Sequence, residues 1–203
     1  MARPPNADAA DTRARILTAA IRHFGECGFS GVSVRTIAGD AGVSFATVHH
    51  YYGSKAELYE RCLGEGLAQV GRLQAEIAGA FSLGDPEQTV RALAARAFRY
   101  AVADRETSRF LLRATLFEQS SPSHERTGAG QQAYLDLASA ALGAALGRPP
   151  EGLRLPLLGM MFLLSRMAVM SEAERERVGA SDEELEAYVV NVAVSTILET
   201  VDE

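Results

Sequence analysis

Cysteine and long apolar runs are scarce in this chain, and each scarcity excludes a class of protein. Two cysteines, Cys27 and Cys62, stand far apart without a Cys-x-x-Cys spacing, which excludes a disulfide framework and favours a reducing compartment. The most apolar stretch, residues 153–170, is interrupted by two arginines and a proline, so no membrane span is predicted. Because the first residues also lack the apolar segment of a secretory signal, we expect a cytoplasmic protein with no membrane partner.

Strand patterns are scarce as well. Alternating apolar and polar runs rich in Val, Thr and Tyr are few, whereas Ala, Leu, Glu and Arg dominate. Apolar residues make up 47% of the 203 positions, which is enough to bury a core. The sequence therefore predicts an all-α protein.

Positive charge is in short supply too, with a net charge of −6 and a single lysine, Lys55. The distribution is uneven, however. Residues 1–55 hold six basic and four acidic residues, a net charge of +2, so the remainder carries −8. A weakly basic N-terminal part on an acidic remainder is the pattern expected if only the N-terminal part meets a polyanion.

Cap residues divide the N-terminal part into short helices. Ser33 precedes a helix that ends near Gly42, and Ser44 begins the next one. Ser54 and Glu57 have the spacing of a capping box, which predicts a further helix. This order of helix, tight turn and helix predicts a helix-turn-helix motif, whose second helix can lie in a DNA major groove. Other helices are predicted at about residues 11–27, 86–103, 106–119, 131–146, 153–171 and 182–200.

Polar side chains with rings cluster on the second helix of this motif. Adjacent helical residues point about 100° apart, so His49 and His50 cannot chelate one ion, and no Cys or carboxylate stands at ligand spacing. The sequence also has no nucleophile elbow and no phosphate loop, so we predict no metal, no cofactor and no catalytic residue. Tyr52 shares the side of Val48 and is predicted to be core, whereas the two histidines and Tyr51 would be free to contact phosphates and base edges.

The stretch VSVRTIAGDAGVSFATVHHYYGSKAELY resembles the DNA-binding segment of the TetR family of transcriptional regulators. The positions that match the family pattern are Ala38, Gly42, Val43, Ser44, residues 47–52, Ser54, Lys55 and Leu58. The resemblance implies that Arg35 contacts a phosphate or a base edge. It implies that the residues facing bases are Phe45, Ala46, Thr47 and His50, and that those positioning the DNA backbone are Ser44, His49, Tyr51 and Lys55. His49 departs from the family, which most often has a tyrosine there.

Two C-terminal stretches, YVVNVAVSTIL and LLGMMFLLSRM, carry apolar side chains around most of a helix. Such helices must be buried on all sides, either in an internal hairpin or against a second copy. We expect a homodimer formed through a four-helix bundle, as the family resemblance also implies. The predicted interface residues are Leu157, Met161, Leu164, Tyr188, Val189, Val192 and Ile197.

The resemblance also implies an effector pocket among the middle helices. Its candidate residues are Phe98, Phe110, Arg113, Phe117, Tyr134, Met160, Met161 and Arg166. The alternative is that the aromatic residues are core and that the two arginines pair with internal carboxylates.

We therefore predict a three-helix DNA-binding domain at residues 1–54, with about the first ten residues flexible, and a helical effector-binding and dimerisation domain at residues 55–203. Its function would be that of a TetR-like regulator that binds a palindromic operator in double-stranded DNA as a homodimer. A repressor released by a small-molecule effector is favoured over an activator. The alternatives are a helical enzyme or an effector-free interaction protein with a vestigial DNA-binding domain.

Overall fold

The structure, a computed structural model, describes residues 5–78, 85–116 and 124–198. In these three ranges the chain forms ten α-helices, one short 3-10 helix and no strand, which confirms the all-α prediction. The α-helices are α1 (Pro5–Gly31), α2 (Val34–Asp40), α3 (Phe45–Tyr52), α4 (Lys55–Ala78), α5 (Pro86–Ala103), α6 (Arg105–Leu116), α7 (His124–Leu146), α8 (Arg154–Ala168), α9 (Glu172–Val178) and α10 (Asp182–Leu198), and the 3-10 helix is Pro150–Leu153.

Side-chain caps define the short helices at the N-terminal end, as predicted. The Ser33 hydroxyl accepts a hydrogen bond from the N–H of Thr36 at 3.1 Å, and the Ser44 hydroxyl accepts one from the N–H of Thr47 at 3.0 Å. Between α2 and α3, Gly42 adopts a positive φ of 65°, a conformation that a side chain would strain. The tight turn of the helix-turn-helix therefore depends on this glycine.

The first core joins α1–α3 to the start of α4 and to α6. It includes the fully buried Ile37 and Val48 of the helix-turn-helix, and Phe24 of α1. The Tyr59 ring of α4 lies 5.0 Å from the Phe24 ring and 5.3 Å from the ring of Phe110, which comes from α6. Because α4 contributes residues up to Leu63, residues 5–63 (the head) extend past the predicted boundary at residue 54.

A second core joins α5, α7, α8 and α10 within the body (α5–α10), with α10 packed against α5 and α8. Phe98 of α5 and Met160 of α8 are buried there. Val189 and Ile197 of α10, two of the predicted dimer-interface residues, are buried in the same core. Their side chains complete the body of a single protomer.

Arginines tie the end of α8 to its neighbours. Arg105 of α6 donates to the carbonyl of Ala168 and, at 2.7 Å, to both carboxylate oxygens of Asp182 in α10. Arg175 of α9 donates to the carbonyl of Met170 at 2.6 Å. The bond to Ala168 satisfies a carbonyl that the last turn of α8 leaves without an intrahelical partner, and the bond to Met170 holds the segment that links α8 to α9.

Several predicted helix boundaries are wrong. α1 begins at Pro5 rather than near residue 11. Its regular helix breaks at Gly28, where φ is 76°, which agrees with the predicted end near residue 27, and a short helical segment continues to Gly31. α7 begins at His124 rather than near residue 131, and α9 was not predicted at all. The signals for α9 are present, since Ser171 and Glu174 form a capping box and Gly179 ends the helix with a left-handed conformation.

In the described ranges, no single helix is long and apolar enough to cross a membrane. The segments Pro150–Ala168 and Glu172–Val178 meet that test only when joined, and they are bent by 103° at their junction.

Candidate nucleic-acid interface

Helix α3 is anchored on one side and exposed on the other. Val48 is buried in the head core, and the Tyr52 hydroxyl donates to the carbonyl of Arg13 at 3.2 Å. The residues on the opposite side, Ala46, His49 and His50, are exposed. The anchored face agrees with the prediction that Tyr52 packs beside Val48, and it leaves the polar rings available to a partner.

The predicted DNA-contacting residues of three helices lie close together. Phe45, His49 and Lys55 line one shallow cleft of about 180 Å³, which brings the start of α3 next to the start of α4. Arg35 of α2 adjoins the same cleft through Phe45, since its guanidinium carbon lies 5.6 Å from the centre of that ring. Thr47 is half-buried, and its hydroxyl is 2.8 Å from that of Ser44. These predicted residues, which are separated in the sequence, thus lie on one surface of the head.

Each of three cations on this surface stacks on an aromatic ring from another helix. Besides Arg35 on Phe45, Arg13 of α1 lies 5.1 Å from the Tyr51 ring centre, and the Lys55 Nζ lies 4.7 Å from that of Phe29. Cation–π contacts of this kind restrain long, flexible side chains. Arg13 and Phe29 were not predicted as site residues, because no local spacing links α1 to the helix-turn-helix.

Side chains of α1 contact the end of α2. Arg22 donates to the carboxylate of Asp40, and this hydrogen bond is the main reason why the pKa of Arg22 is raised above its usual value. The His23 Nε2 lies 3.3 Å from the same carboxylate. Arg15 donates to the carbonyl of Ala41 at 3.0 Å, just before the turn. The acidic Asp40 is therefore paired within the head.

The start of α4 carries the predicted capping box. The Ser54 N–H donates to the Glu57 carboxylate at 2.7 Å, and the Glu57 N–H donates to the Ser54 hydroxyl at 3.1 Å. Hydrogen bonds from the Ser54 side chain and backbone lower the pKa of Glu57. Beside it, Lys55 presents an ammonium group and the N-terminal end of a helix dipole, both of which attract phosphate.

No group of three or more His, Cys, Asp or Glu side chains in the described ranges is arranged to hold a metal ion. His49 and His50 contact other rings instead, with the His49 ring 6.1 Å from Phe45 and the His50 ring 5.3 Å from Tyr51. These histidines therefore offer hydrogen-bond donors and flat faces to a partner.

The comparison with known sequences concerns mainly this surface. Residues 16–62 match the family model of bacterial regulatory proteins of the tetR family. The HTH-type transcriptional regulator BetI of Brucella canis is 38% identical over 96 residues, which cover 47% of this chain and 47% of that protein. The HTH-type transcriptional regulatory protein RaaS of Mycobacterium tuberculosis is 55% identical over 49 residues, 24% of this chain and 23% of that protein.

Solved structures extend the likeness to the body. A TetR-like transcriptional regulator from Rhodococcus sp. RHA1 superposes with a TM-score of 0.67 over 91% of this chain and 94% of that one, at 19% identity. Residues 16–62 thus match the TetR family in sequence, and the chain as a whole has the fold of TetR-like regulators. The fatty acid degradation regulator FadR from Bacillus halodurans has the same fold, with a TM-score of 0.66 over the full length of both chains at 19% identity. Members of this family are DNA-binding transcriptional regulators.

The matched stretch spans about half the length of the first curated relatives, whereas the match to the solved structures covers nearly whole chains at low identity. The head is therefore related to named regulators by sequence, and the body is related to solved structures by its fold.

The described candidate effector residues lie in different parts of the structure. Phe98 and Met160 belong to the body core, whereas Phe110 packs in the head core against Phe24 and Tyr59. Phe117 lies outside the described residues.

The remaining candidates are spread over three helices. Met161 and Tyr134 are half-buried, and burial raises the pKa of the tyrosine. Arg166 donates to Glu174 at 2.6 Å, the internal pairing weighed as its alternative role. Arg113 lines an open cleft of about 350 Å³ between α1 and α6, together with Gly25, Glu26, Arg109 and Leu112.

Five of the predicted interface residues retain accessible surface. Leu157, Met161, Leu164 and Val192 are half-buried, and Tyr188 is 54% exposed. Sequence reasoning missed Leu155 at the start of α8, which is 77% exposed. It stands between Arg154 and Pro156, and its exposure distinguishes it from the nearby Leu153, which is buried.

Proposed function

We propose that this TetR-family protein is a transcriptional repressor that binds a palindromic operator as a homodimer and is released by a small-molecule effector. The observation that carries the proposal is the exposed face of α3, flanked by Arg13, Arg35 and Lys55 and anchored beneath by Val48. A short helix held in this way can enter the major groove while the flanking cations contact phosphates on either side.

The roles of the surface residues follow from their positions. Phe45, Ala46, Thr47 and His50 would face bases along the groove, and Arg35 would reach a base edge or a phosphate. The phosphate contacts would come from Ser44, His49, Tyr51 and Lys55, with Arg13 as an addition from α1. The net charge of the body would direct DNA to the head, because the acidic remainder repels a polyanion.

A homodimer would bring two heads to one duplex. The exposed Tyr188 of α10 and Leu155 of α8 give these helices apolar outer surface in addition to the inner faces that they bury in the protomer. A two-fold axis through such a surface would create a four-helix bundle and would require an inverted repeat in the operator.

Effector release would need a ligand that binds one spacing of the two heads better than the other. Helix α6 is placed to transmit such a change, since Arg105 bonds to the body and Phe110 packs in the head core. Ligand-linked thermal stabilisation in a screen of hydrophobic small molecules would identify effector candidates.

Selection of bound DNA from a random pool tests the proposal directly. We expect an enriched inverted repeat, and we expect Lys55→Ala to weaken binding to all sequences and to reduce the salt slope by about one per head. Arg91→Ala is the matched control, because Arg91 lies on α5 in the body, where it pairs with Glu87. A pool without any enriched sequence would contradict the proposed function.

Dimerisation can be tested separately by light scattering. Tyr188→Glu should shift the protein toward monomer and weaken binding to the inverted repeat, because a charge would be buried at the proposed interface. Val178→Glu is the control, since Val178 is also exposed but lies on α9 outside the proposed interface. Equal effects of the two substitutions would argue against an interface at Tyr188.

A further inference from the structure

The exposed phenyl ring at the start of α3 contributes little to the stability of the fold. Phe45 follows the capping Ser44, and 47% of its surface is accessible, which makes it one of the few large apolar side chains exposed in the described ranges. An exposed ring adds little to folding, because the hydrophobic gain comes from area removed from water. Its position on the outer side of the recognition helix indicates a role in contacting a partner.

Arg35 and His49 both lie next to this ring. The Arg35 guanidinium carbon is 5.6 Å from the centre of the phenyl ring, and the His49 ring centre is 6.1 Å from it. Among the described residues, no carboxylate pairs with Arg35, in contrast to Arg22, which is bonded to Asp40. The guanidinium is therefore oriented by a ring while its N–H donors stay available.

These two side chains match two features of adjacent base pairs. An arginine fork pairs with the O6 and N7 of guanine, and a phenyl ring makes apolar contact with the 5-methyl group of thymine. Successive bases are separated by about 3.4 Å along a strand, so groups 5.6 Å apart can reach neighbouring base pairs. Stacking also limits the rotamers of Arg35, so less entropy is lost when it binds guanine.

We propose that Arg35 and Phe45 form one reading unit that recognises a guanine together with the 5-methyl group of a thymine on the neighbouring base pair. The inference rests on the proposed DNA-binding function and adds the sequence feature that each half-site must contain. Ala46 of the same helix is the other candidate for a contact with the thymine methyl group, but its short side chain would distinguish thymine from other bases less strongly than Phe45. Phe45 is thus a specificity-determining residue and Arg35 its partner.

Base analogues in the operator selected from the random pool test this unit. Replacing one thymine at a time by deoxyuridine removes only the methyl group. We expect a single thymine in each half-site to be sensitive, with a loss of about fourfold in affinity per half-site, as for one buried methyl group. Replacing the neighbouring guanine by 7-deazaguanine, which lacks N7, should weaken binding by the wild-type protein and much less by Arg35→Met.

Two variants of Phe45 test whether its ring is the group that contacts the thymine methyl. Phe45→Ala should bind thymine and uracil operators equally, whereas Phe45→Leu, which keeps an apolar side chain, should retain part of the preference. Circular dichroism should show both variants folded, because the ring is outside the head core.

The reading unit is overturned if deoxyuridine costs nothing at any thymine with the wild-type protein, or costs the same with Phe45→Ala. In either case the enriched inverted repeat would still support the proposed function. A pool that yields no enriched sequence would overturn both proposals together.

Discussion

The head and the body of this protein are held together by different kinds of contact. In the head, short helices are defined by serine caps and joined by aromatic rings, with Phe24, Tyr59 and Phe110 in mutual contact. In the body, arginines reach between helices to carboxylates and to free carbonyls, as Arg105 does with Asp182 and Ala168. A head that must fit a fixed DNA groove needs defined local geometry, whereas a body built from longer helices needs ties between distant segments.

The largest expected effect on stability comes from removing an aromatic ring from the head core. Phe24→Ala should lower the free energy of unfolding by about 3–5 kcal/mol, because Phe24 is fully buried against two other rings. Phe98→Ala in the body core is the matched variant and should cost a similar amount. Urea unfolding followed by circular dichroism gives both values. A loss under about 1 kcal/mol for Phe24→Ala would show that the aromatic contacts do not hold the head.

Removal of an arginine from the body should have the next largest effect. Arg105→Met leaves Asp182 without its closest partner and one carbonyl at the end of α8 without its donor, so we expect a loss of about 2 kcal/mol. Arg99→Met is the control, because the Arg99 side chain is mostly exposed beside Glu186 and its loss should cost under about 1 kcal/mol. Thermal unfolding of both variants measures the difference. Equal losses would mean that the Arg105 contacts are no more important than a surface ion pair.

Thiol labelling tests whether the head core is packed, because one of the two cysteines of the head is exposed and the other is buried. Cys27 is exposed and should react with a maleimide in the folded protein, whereas Cys62 is buried in the head core. Burial raises the pKa of Cys62 to about 12, so its reactive thiolate is absent near neutral pH. Mass spectrometry should therefore find one label without urea and two above the unfolding midpoint. Labelling of Cys62 at the rate of Cys27 in the folded protein would contradict the packed head core.

The difference between local and long-range contacts also explains which features of the head and the body could be predicted from the sequence. The caps at Ser33, Ser44 and Ser54 were predicted because a capping bond joins residues two or three positions apart and leaves a local signal. The stack of Arg13 on Tyr51 and the placement of Phe110 in the head core were not predictable, because they join residues far apart in the chain. The burial of Val189 and Ile197 within the protomer was not predictable for the same reason: an all-round apolar helix does not indicate which of its faces the protomer itself covers.

The smallest expected effect is on the pH dependence of stability, and it is tested by comparing one capping box in the head with one in the body. Hydrogen bonds from Ser54 lower the pKa of Glu57 in the head, and hydrogen bonds from the Ser171 backbone and then from Arg166 lower the pKa of Glu174 in the body. A carboxylate with a lowered folded pKa stabilises the fold above its unfolded pKa of about 4.3, and this contribution is lost as pH falls through the lower folded value.

Glu57→Gln and Glu174→Gln keep a capping side chain but remove the titration, so each should flatten the fall in stability below about pH 4.5 relative to the wild type. Glu174→Gln should flatten it more, because it also removes the charge that pairs with Arg166, and near neutral pH it should destabilise the protein more for the same reason. Urea midpoints measured at several acidic pH values and at pH 7 give the comparison. A pH profile of Glu57→Gln that matches the wild type would show that the head capping box is formed without help from the charge of Glu57.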